Sequence, residues 1–362
     1  VIAEQLLAPV PGGTGRYTAE LLRALAETTP PGWEVSSVTA WHRDVAPARV
    51  PGVRGPRRLP LPRRALVAIW QAGVGWWPGG DGVHAPTPLT PPRAPGGRTL
   101  SVTAHDTVPW SHPETLTPRG GRWHRTMIGR AAREADTLVV PTVSVAEELA
   151  RCVSGAGRAL VVGHGVSTGL VASDSAVDPV EPPAGLPERY VLAVGTLEPR
   201  KGIDVLIRAV SRLHGVCLVL AGPVGWGACD PDELAREHGL PAHRLRVLGE
   251  LTDSQLRSTL RGASVLAAPS LSEGFGLPVL EAMATGVPVV HSDVGALVEV
   301  AGGAGRTVPR GDAPALANEL ERVLGFPGLA AAMTTAGRSR AAHFSWHRAA
   351  RRIWRTHTGT DD

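Results

Sequence analysis

Lysine is almost absent from this sequence. Among its 362 residues the 37 basic side chains comprise 36 arginines and a single lysine, Lys201. Together with 43 glycines and 33 prolines, this points to a genome whose base composition disfavours lysine codons. Cysteine is scarce too: Cys152, Cys217 and Cys229 have spacings that suit neither a disulfide framework nor a zinc site, so a reducing cytoplasm is the expected setting. No apolar run approaches the roughly 18 residues of a membrane-spanning helix. The opening Val1-Ile2-Ala3-Glu4 lacks the basic and apolar regions of a secretory signal. With no initiator Met, the sequence is expected to begin inside its first strand.

What is present is a soluble globular composition, 43% hydrophobic and 19% charged, long enough for two domains. The formal net charge of +4 is too small for a nucleic-acid-binding surface. All of it falls in the first 180 residues. Between Asp44 and Asp81 there is no acid, while Arg49, Arg54, Arg57, Arg58, Arg63 and Arg64 precede Trp70, Trp76 and Trp77. Two readings stand: a surface for an anionic lipid or acidic acceptor, or a proline-rich connection into a helix whose tryptophans pack in the core.

Short β-branched runs alternate with amphipathic stretches, which predicts βαβ units and parallel sheets. Strands are expected at Val1–Leu7, Glu34–Ala40, Gly82–His84, Arg98–Thr103, Thr137–Pro141 and Ala159–Val162. A second set is expected at Tyr190–Val194, Val216–Ala221, Arg246–Leu248, Ser264–Ala268 and Pro288–Ser292. Between the sets, Val171–Glu188 has four prolines and little periodicity, a linker composition. Two α/β domains, 1–180 and 181–340, are therefore expected, followed by a C-terminal segment 341–362. In open sheets of this kind ligands sit at the C-terminal strand ends, where glycine turns and helix N-termini offer N–H donors.

Four segments occupy such positions. Pro11-Gly-Gly-Thr-Gly-Arg-Tyr17 follows the first strand, and Gly12 and Gly13 would allow close backbone approach to a phosphate or acceptor hydroxyl. Ser101-Val-Thr-Ala-His105-Asp106 ends an extended run in a histidine placed for substrate contact, with Asp106 as a turn cap. In Gly195-Thr-Leu-Glu-Pro-Arg-Lys-Gly202, Arg200 and Lys201 stand where the next helix begins. Cations are unfavourable there unless an anion binds between them and the helix, and a diphosphate suits the pair. In Pro269–Pro288, Glu273 and Glu281 flank the turn Gly274-Phe275-Gly276-Leu277. Two carboxylates can accept from separate hydroxyls of one ligand while the turn's N–H groups face it, an array that a sugar nucleotide requires.

The motifs PGGTGRY, VHAPTPLTPP, TAHDTVPWSHPE, ADTLVVPTVS, YVLAVGTLEPRKG, LVLAGPVGW, VLGELTDSQL and EGFGLPVLEAMATGVP together resemble the retaining glycosyltransferase family 4. The chain is most similar to its mannosyltransferase branch. The resemblance implies the GT-B fold: two Rossmann-like domains with open parallel sheets facing a central cleft, the N-terminal one on the acceptor side and the C-terminal one binding the nucleotide sugar. A C-terminal helix crossing back to the N-terminal domain follows from the same fold. It also implies roles. Glu273 would hold hydroxyls of the transferred hexose and Glu281 the ribose; Arg200 and Lys201 would bind the diphosphate; His105 would lie beside the sugar. Gly12, Gly13, Gly195, Thr196 and the turn 274–277 would line the donor. No cofactor or metal is implied. Two positions depart from the pattern: Thr196 stands where many relatives carry arginine, and Gly163-His-Gly-Val-Ser167 replaces the usual Pro-Asn-Gly-Val-Asp.

The expected reaction moves a hexose, with GDP-mannose as the favoured donor, to an acceptor hydroxyl on a glycan, a lipid or a small molecule. The protein is expected in the cytoplasm or at the inner face of the membrane, without nucleic acid as a partner. A UDP-sugar donor is one alternative, a sugar-nucleotide epimerase a second, and a non-enzymatic two-domain solute-binding protein a third.

Overall fold

A computed structural model describes residues 1–171, 183–225, 227 and 229–359. Its strands are β1 (Ser36–Trp41), β2 (Arg54–Pro62), β3 (Gly82–Ala85), β4 (Thr99–Thr103), β5 (Thr137–Val140), β6 (Leu160–Val161), β7 (Tyr190–Val194), β8 (Cys217–Ala221), β9 (Leu245–Gly249), β10 (Val265–Ala268), β11 (Val289–Ser292) and β12 (Arg306–Val308). Every pairing among them is parallel. The chain divides into two compact units: Val1–Gly165 together with the described residues from Ser345 on, and Val166–Phe344.

In the first unit β3-β4-β5-β6 form one sheet and β1-β2 another. Residues Val1–Ala3 link the two: Ile2 N–H donates to the His84 carbonyl and Ala3 N–H to that of Val38. The chain then leaves the strand path, unlike the expected strand through Leu7, and forms a 3-10 turn at Glu4–Leu7. Glu4 is turned inward there, where it accepts the Ala40 N–H at 2.9 Å and pairs with His42 at 2.8 Å. β2 was not expected as a strand, because Arg-Gly-Pro-Arg-Arg-Leu-Pro-Leu-Pro reads as a connection. It is an exposed edge paired only with β1, the one place a sheet tolerates proline. The tryptophans after it pack inward: Trp70 is fully buried and its indole donates to the Trp76 carbonyl at 2.9 Å. The C-terminal helix Trp346–Thr358 lies against helix Gly12–Glu27 of the same unit, and Trp354 donates to the Leu25 carbonyl at 3.1 Å.

The second unit is a six-stranded sheet in the order β12-β11-β10-β7-β8-β9. Alternation along each central strand builds two cores. On β7, Val191 and Ala193 join Leu206, Val210 and Leu316 on one face; Tyr190 and Leu192 join Leu260, Leu280 and Leu297 on the other. The chain runs outward from β7 through β8 and β9, then returns to place β10 on the opposite side of β7. The strand order thus reverses between β7 and β10, and the loops leaving their C-terminal ends diverge to form a crevice.

The domain boundary expected near residue 180 lies outside the described residues. Among those described, the change of unit falls between Gly165 and Val166, because helix Thr168–Val171 packs on helix Asp253–Gly262. The later change falls after Phe344 rather than after 340, since Ala341 and Phe344 belong to the second unit's core.

Candidate functional site

The crevice between β7 and β10 gathers most of the expected donor residues. After β7, Gly195 adopts φ +144°. Pro199–Lys201 make a 3-10 turn, and Gly202 at φ +68° opens helix Ile203–Ser211. A Cβ on Gly202 would stand 2.3 Å from the Pro269 carbonyl oxygen, so glycine is what lets this loop touch the one after β10. After β10, Gly276 at φ +90° starts helix Leu277–Thr285, with Pro278 in its first turn, and Gly286 at φ +85° ends it.

Backbone and side chains tie the two loops together. Leu271 N–H donates to the Arg200 carbonyl at 2.8 Å, and Arg200 Nη1 to the Ser272 carbonyl at 2.7 Å. Lys201 Nζ meets Glu273 Oε1 at 2.5 Å, Ser270 Oγ donates to the same oxygen at 2.9 Å, and Arg200 Nη1 lies 3.6 Å from Oε2. Burial works against ionisation of Glu273. The charges of Lys201 and Arg200, with the hydrogen bonds from Lys201 and Ser270, outweigh it and hold this carboxyl below the usual carboxylate range. The recess bounded by Gly195, Lys201, Ser270 and Glu273 is about 20 Å³, room for about one water.

The other expected residues are placed as follows. Glu281 is 2% exposed on helix Leu277–Thr285 and accepts from Ser167 Oγ at 3.3 Å. Phe275 needs correcting as a donor contact: it is buried in the core with its ring edge-on to Phe344 at 5.7 Å, so its side chain does not face a ligand. Thr196 packs beneath Gly225, where a Cβ would come within 2.3 Å of its methyl. Gly12 and Gly13 do not lie in a separate turn between the first strand and the helix Gly12–Glu27. They are its first two residues, with N–H groups in the turn that has no helical acceptor, and a Cβ on either would meet nothing within 4 Å.

His105 belongs to the first unit. Its Nε2 sits 2.7 Å from the Pro86 carbonyl, which can only accept, so Nε2 carries the proton and Nδ1 is the open lone pair. Burial lowers its pKa against the raising effects of that carbonyl and of Asp106, leaving neutral imidazole at neutral pH. Tyr17 holds the ring edge-on at 4.7 Å and hydrogen-bonds Thr103 Oγ1 at 3.0 Å. Asp106 accepts the Val108 N–H at 3.0 Å, as its capping role requires. Sequence reasoning missed Tyr17 and Ser270; the serine's only signal was its place three residues before Glu273.

Two family models match the chain: "Glycosyltransferase Family 4" over residues 11–170 and "Glycosyl transferases group 1" over residues 188–325. The chain belongs to glycosyltransferase family 4. A D-inositol 3-phosphate glycosyltransferase of Mycolicibacterium smegmatis is 37% identical over 222 residues, 59% of this chain and 50% of that one. The O-antigen chain mannosyltransferase B of Escherichia coli is 37% identical over 164 residues, 43% of this chain and 42% of that one. The chain thus spans half or less of these family 4 relatives. Among solved structures, sucrose-phosphate synthase from Thermosynechococcus elongatus superposes with a TM-score of 0.73 at 24% identity, covering 98% of this chain and 96% of that one. Anabaena HepE in complex with UDP and glucose gives 0.73 at 20%, covering 98% and 97%. These likenesses establish the GT-B fold.

Among the described residues no cluster of His, Cys, Asp or Glu is arranged to hold a metal ion. The family 4 chain contains an Asp230-Pro-Asp232 sequence, but Asp230 caps helix Pro231–Glu237 by accepting from Asp232 N–H at 2.9 Å and Glu233 N–H at 3.2 Å. Among the described residues no helix is long and apolar enough to cross a membrane.

Proposed function

We propose that this protein is a retaining hexosyltransferase that transfers mannose from GDP-mannose to an acceptor hydroxyl. The observation that carries this reading is the Lys201–Glu273–Ser270 cluster, braced by Arg200, at the point where the strand order of the six-stranded sheet reverses. A compact ammonium stands next to an ionised acceptor there. The first suits a diphosphate whose charge grows as the glycosidic bond breaks; the second suits a hexose hydroxyl. Glu281, one helix turn inward, takes the ribose hydroxyls in exchange for its bond from Ser167.

In the reaction the bond from the anomeric carbon to the phosphate oxygen breaks, and the leaving diphosphate keeps the electron pair. The acceptor oxygen attaches on the same face, and its proton passes to the departing phosphate oxygen. The chain's part is positioning and charge stabilisation. Mannose is favoured by the likeness to the mannosyltransferase, while the UDP complex of HepE keeps a UDP-sugar donor as a second reading. A binding and turnover screen of GDP-mannose, GDP-glucose, UDP-glucose and ADP-glucose decides between them. GDP-mannose is expected to bind most tightly and to transfer with the donor's anomeric configuration. Binding of free hexoses, but of no nucleotide sugar, would overturn the whole reading.

A further inference from the structure

Strand β4 carries hydroxyls at alternate positions, Thr99, Ser101 and Thr103, so all three fall on one face, while Leu100 and Val102 on the other face join the hydrophobic core. On the neighbouring β3, His84 is the register partner of Ser101. His84, Ser101 and Thr103 are at most 2% exposed. One row of hydrogen bonds joins these groups. From helix Trp346–Thr358, His357 places Nδ1 2.7 Å from Thr99 Oγ1 and Nε2 2.9 Å from Ser101 Oγ. Ser101 Oγ lies 2.8 Å from His84 Nδ1, Thr103 Oγ1 3.4 Å from His84 Nε2, and Tyr17 Oη 3.0 Å from Thr103 Oγ1. The row ends at Tyr17, whose ring lies edge-on to that of His105.

The direction of every proton in the row follows from this last member. Burial raises the pKa of Tyr17, so its hydroxyl keeps its proton. Among the described residues Tyr17 Oη has no hydrogen-bond partner but Thr103, and a buried donor needs one. Tyr17 therefore donates to Thr103, and Thr103 passes its own single proton to His84 Nε2. Burial lowers the pKa of His84 and His357, and a neutral imidazole accepts at one nitrogen and donates from the other. His84 Nδ1–H then donates to Ser101, Ser101 to His357 Nε2, and His357 Nδ1–H to Thr99. Folding alone does not require this row, because matched apolar side chains on that face would be about as stable. What the row adds is one fixed orientation of Tyr17.

We propose that His84 is a positioning residue for the transfer reaction: by accepting the Thr103 proton at Nε2 it anchors the Tyr17 hydroxyl, and the anchored Tyr17 ring holds the imidazole of His105. The proposal rests on the glycosyl-transfer reading, in which His105 lies beside the transferred sugar.

Nitrogen NMR of the histidine rings in the wild-type protein at neutral pH tests the proton order without any substitution. His84 and His357 are expected to carry the proton on Nδ1, and His105 on Nε2. Kinetics of hexose transfer test the consequence. His84→Gln keeps an acceptor where Nε2 stands, and its kcat should stay within a few-fold of wild type. His84→Asn reaches only the Nδ1 side. Its kcat should fall about tenfold or more with the donor KM little changed, since a misplaced group costs turnover rather than donor binding. In Tyr17→Phe, where the row no longer reaches the ring, adding His84→Asn should lower kcat no further. A purely structural role would instead give the same loss in both backgrounds. Should His84→Asn fail to fold, the wild-type spectra and His84→Gln still decide. A proton on Nε2 of His84, equal activity of the Asn and Gln variants, or an equal loss in both backgrounds overturns the proposal. Failure of the wild-type protein to transfer hexose from any nucleotide sugar would instead remove the reading beneath it, while leaving the tautomers to be read independently.

Discussion

Lys201 and Glu273, 72 residues apart in sequence, form a salt bridge at 2.5 Å across the loops that leave β7 and β10. The pair is only 17% and 12% exposed, so each charge depends on the other. Replacing Glu273 by Gln keeps an acceptor oxygen for Ser270 but leaves the Lys201 ammonium without its counter-charge. Thermal unfolding should report a loss of roughly 1–3 kcal/mol. Turnover should fall far more than donor affinity, because the lost acceptor matters most when charge develops at the anomeric carbon. Glu281→Gln should do the reverse and weaken nucleotide binding. Transfer rates within a few-fold of wild type in both variants would contradict the assignment of this block.

Glycines separate fold from ligand. Gly202→Ala should destabilise by more than the roughly 1–3 kcal/mol of left-handed strain alone, since its Cβ also meets the Pro269 carbonyl at 2.3 Å. Gly13→Ala meets nothing within 4 Å, and its unfolding midpoint should match wild type within a degree or two. If Gly13 brings the backbone close to a phosphate or acceptor hydroxyl, that stable variant should show a raised KM. An unchanged KM would remove Gly12 and Gly13 from the site.

Much of the fold follows from local pattern. β7 appears at its expected limits, Tyr190–Val194, because a β-branched run between a linker and a glycine has few other options. β2 does not follow, because its prolines and arginines suit an edge strand only once β1 is known to be its sole partner. At the site, residue types and loops were legible. That Lys201 and Glu273 bond each other was not, since the sequence does not state that β10 lies beside β7. The contact of Tyr17 with His105, and of His164 stacked on Trp346 at 5.4 Å, likewise depends on long-range packing.

The buried histidines set an acid limit on stability. Burial lowers the pKa of His84, His105, His164 and His357, the last to about 4. The unfolded chain takes up protons near pH 6.5 that the folded one refuses, so stability is complete above that pH and declines as pH falls below it. For His357 alone the decline amounts to about 2 kcal/mol by pH 5. Unfolding midpoints at pH 7.5, 6 and 5 should fall in that order, and less steeply for His357→Gln.

The presence of one lysine in the sequence makes the central claim directly measurable. Lys201 is assigned to the donor diphosphate, so acylation by an amine-selective reagent, followed at the Lys201 peptide by mass spectrometry, should track loss of transfer activity. A nucleoside diphosphate should slow labelling of Lys201, and the nucleoside without phosphates should not. Lys201→Arg should also lose activity although charge is kept, because a planar guanidinium has different reach. A fully acylated Lys201 in a protein that still transfers hexose at the wild-type rate would contradict the account.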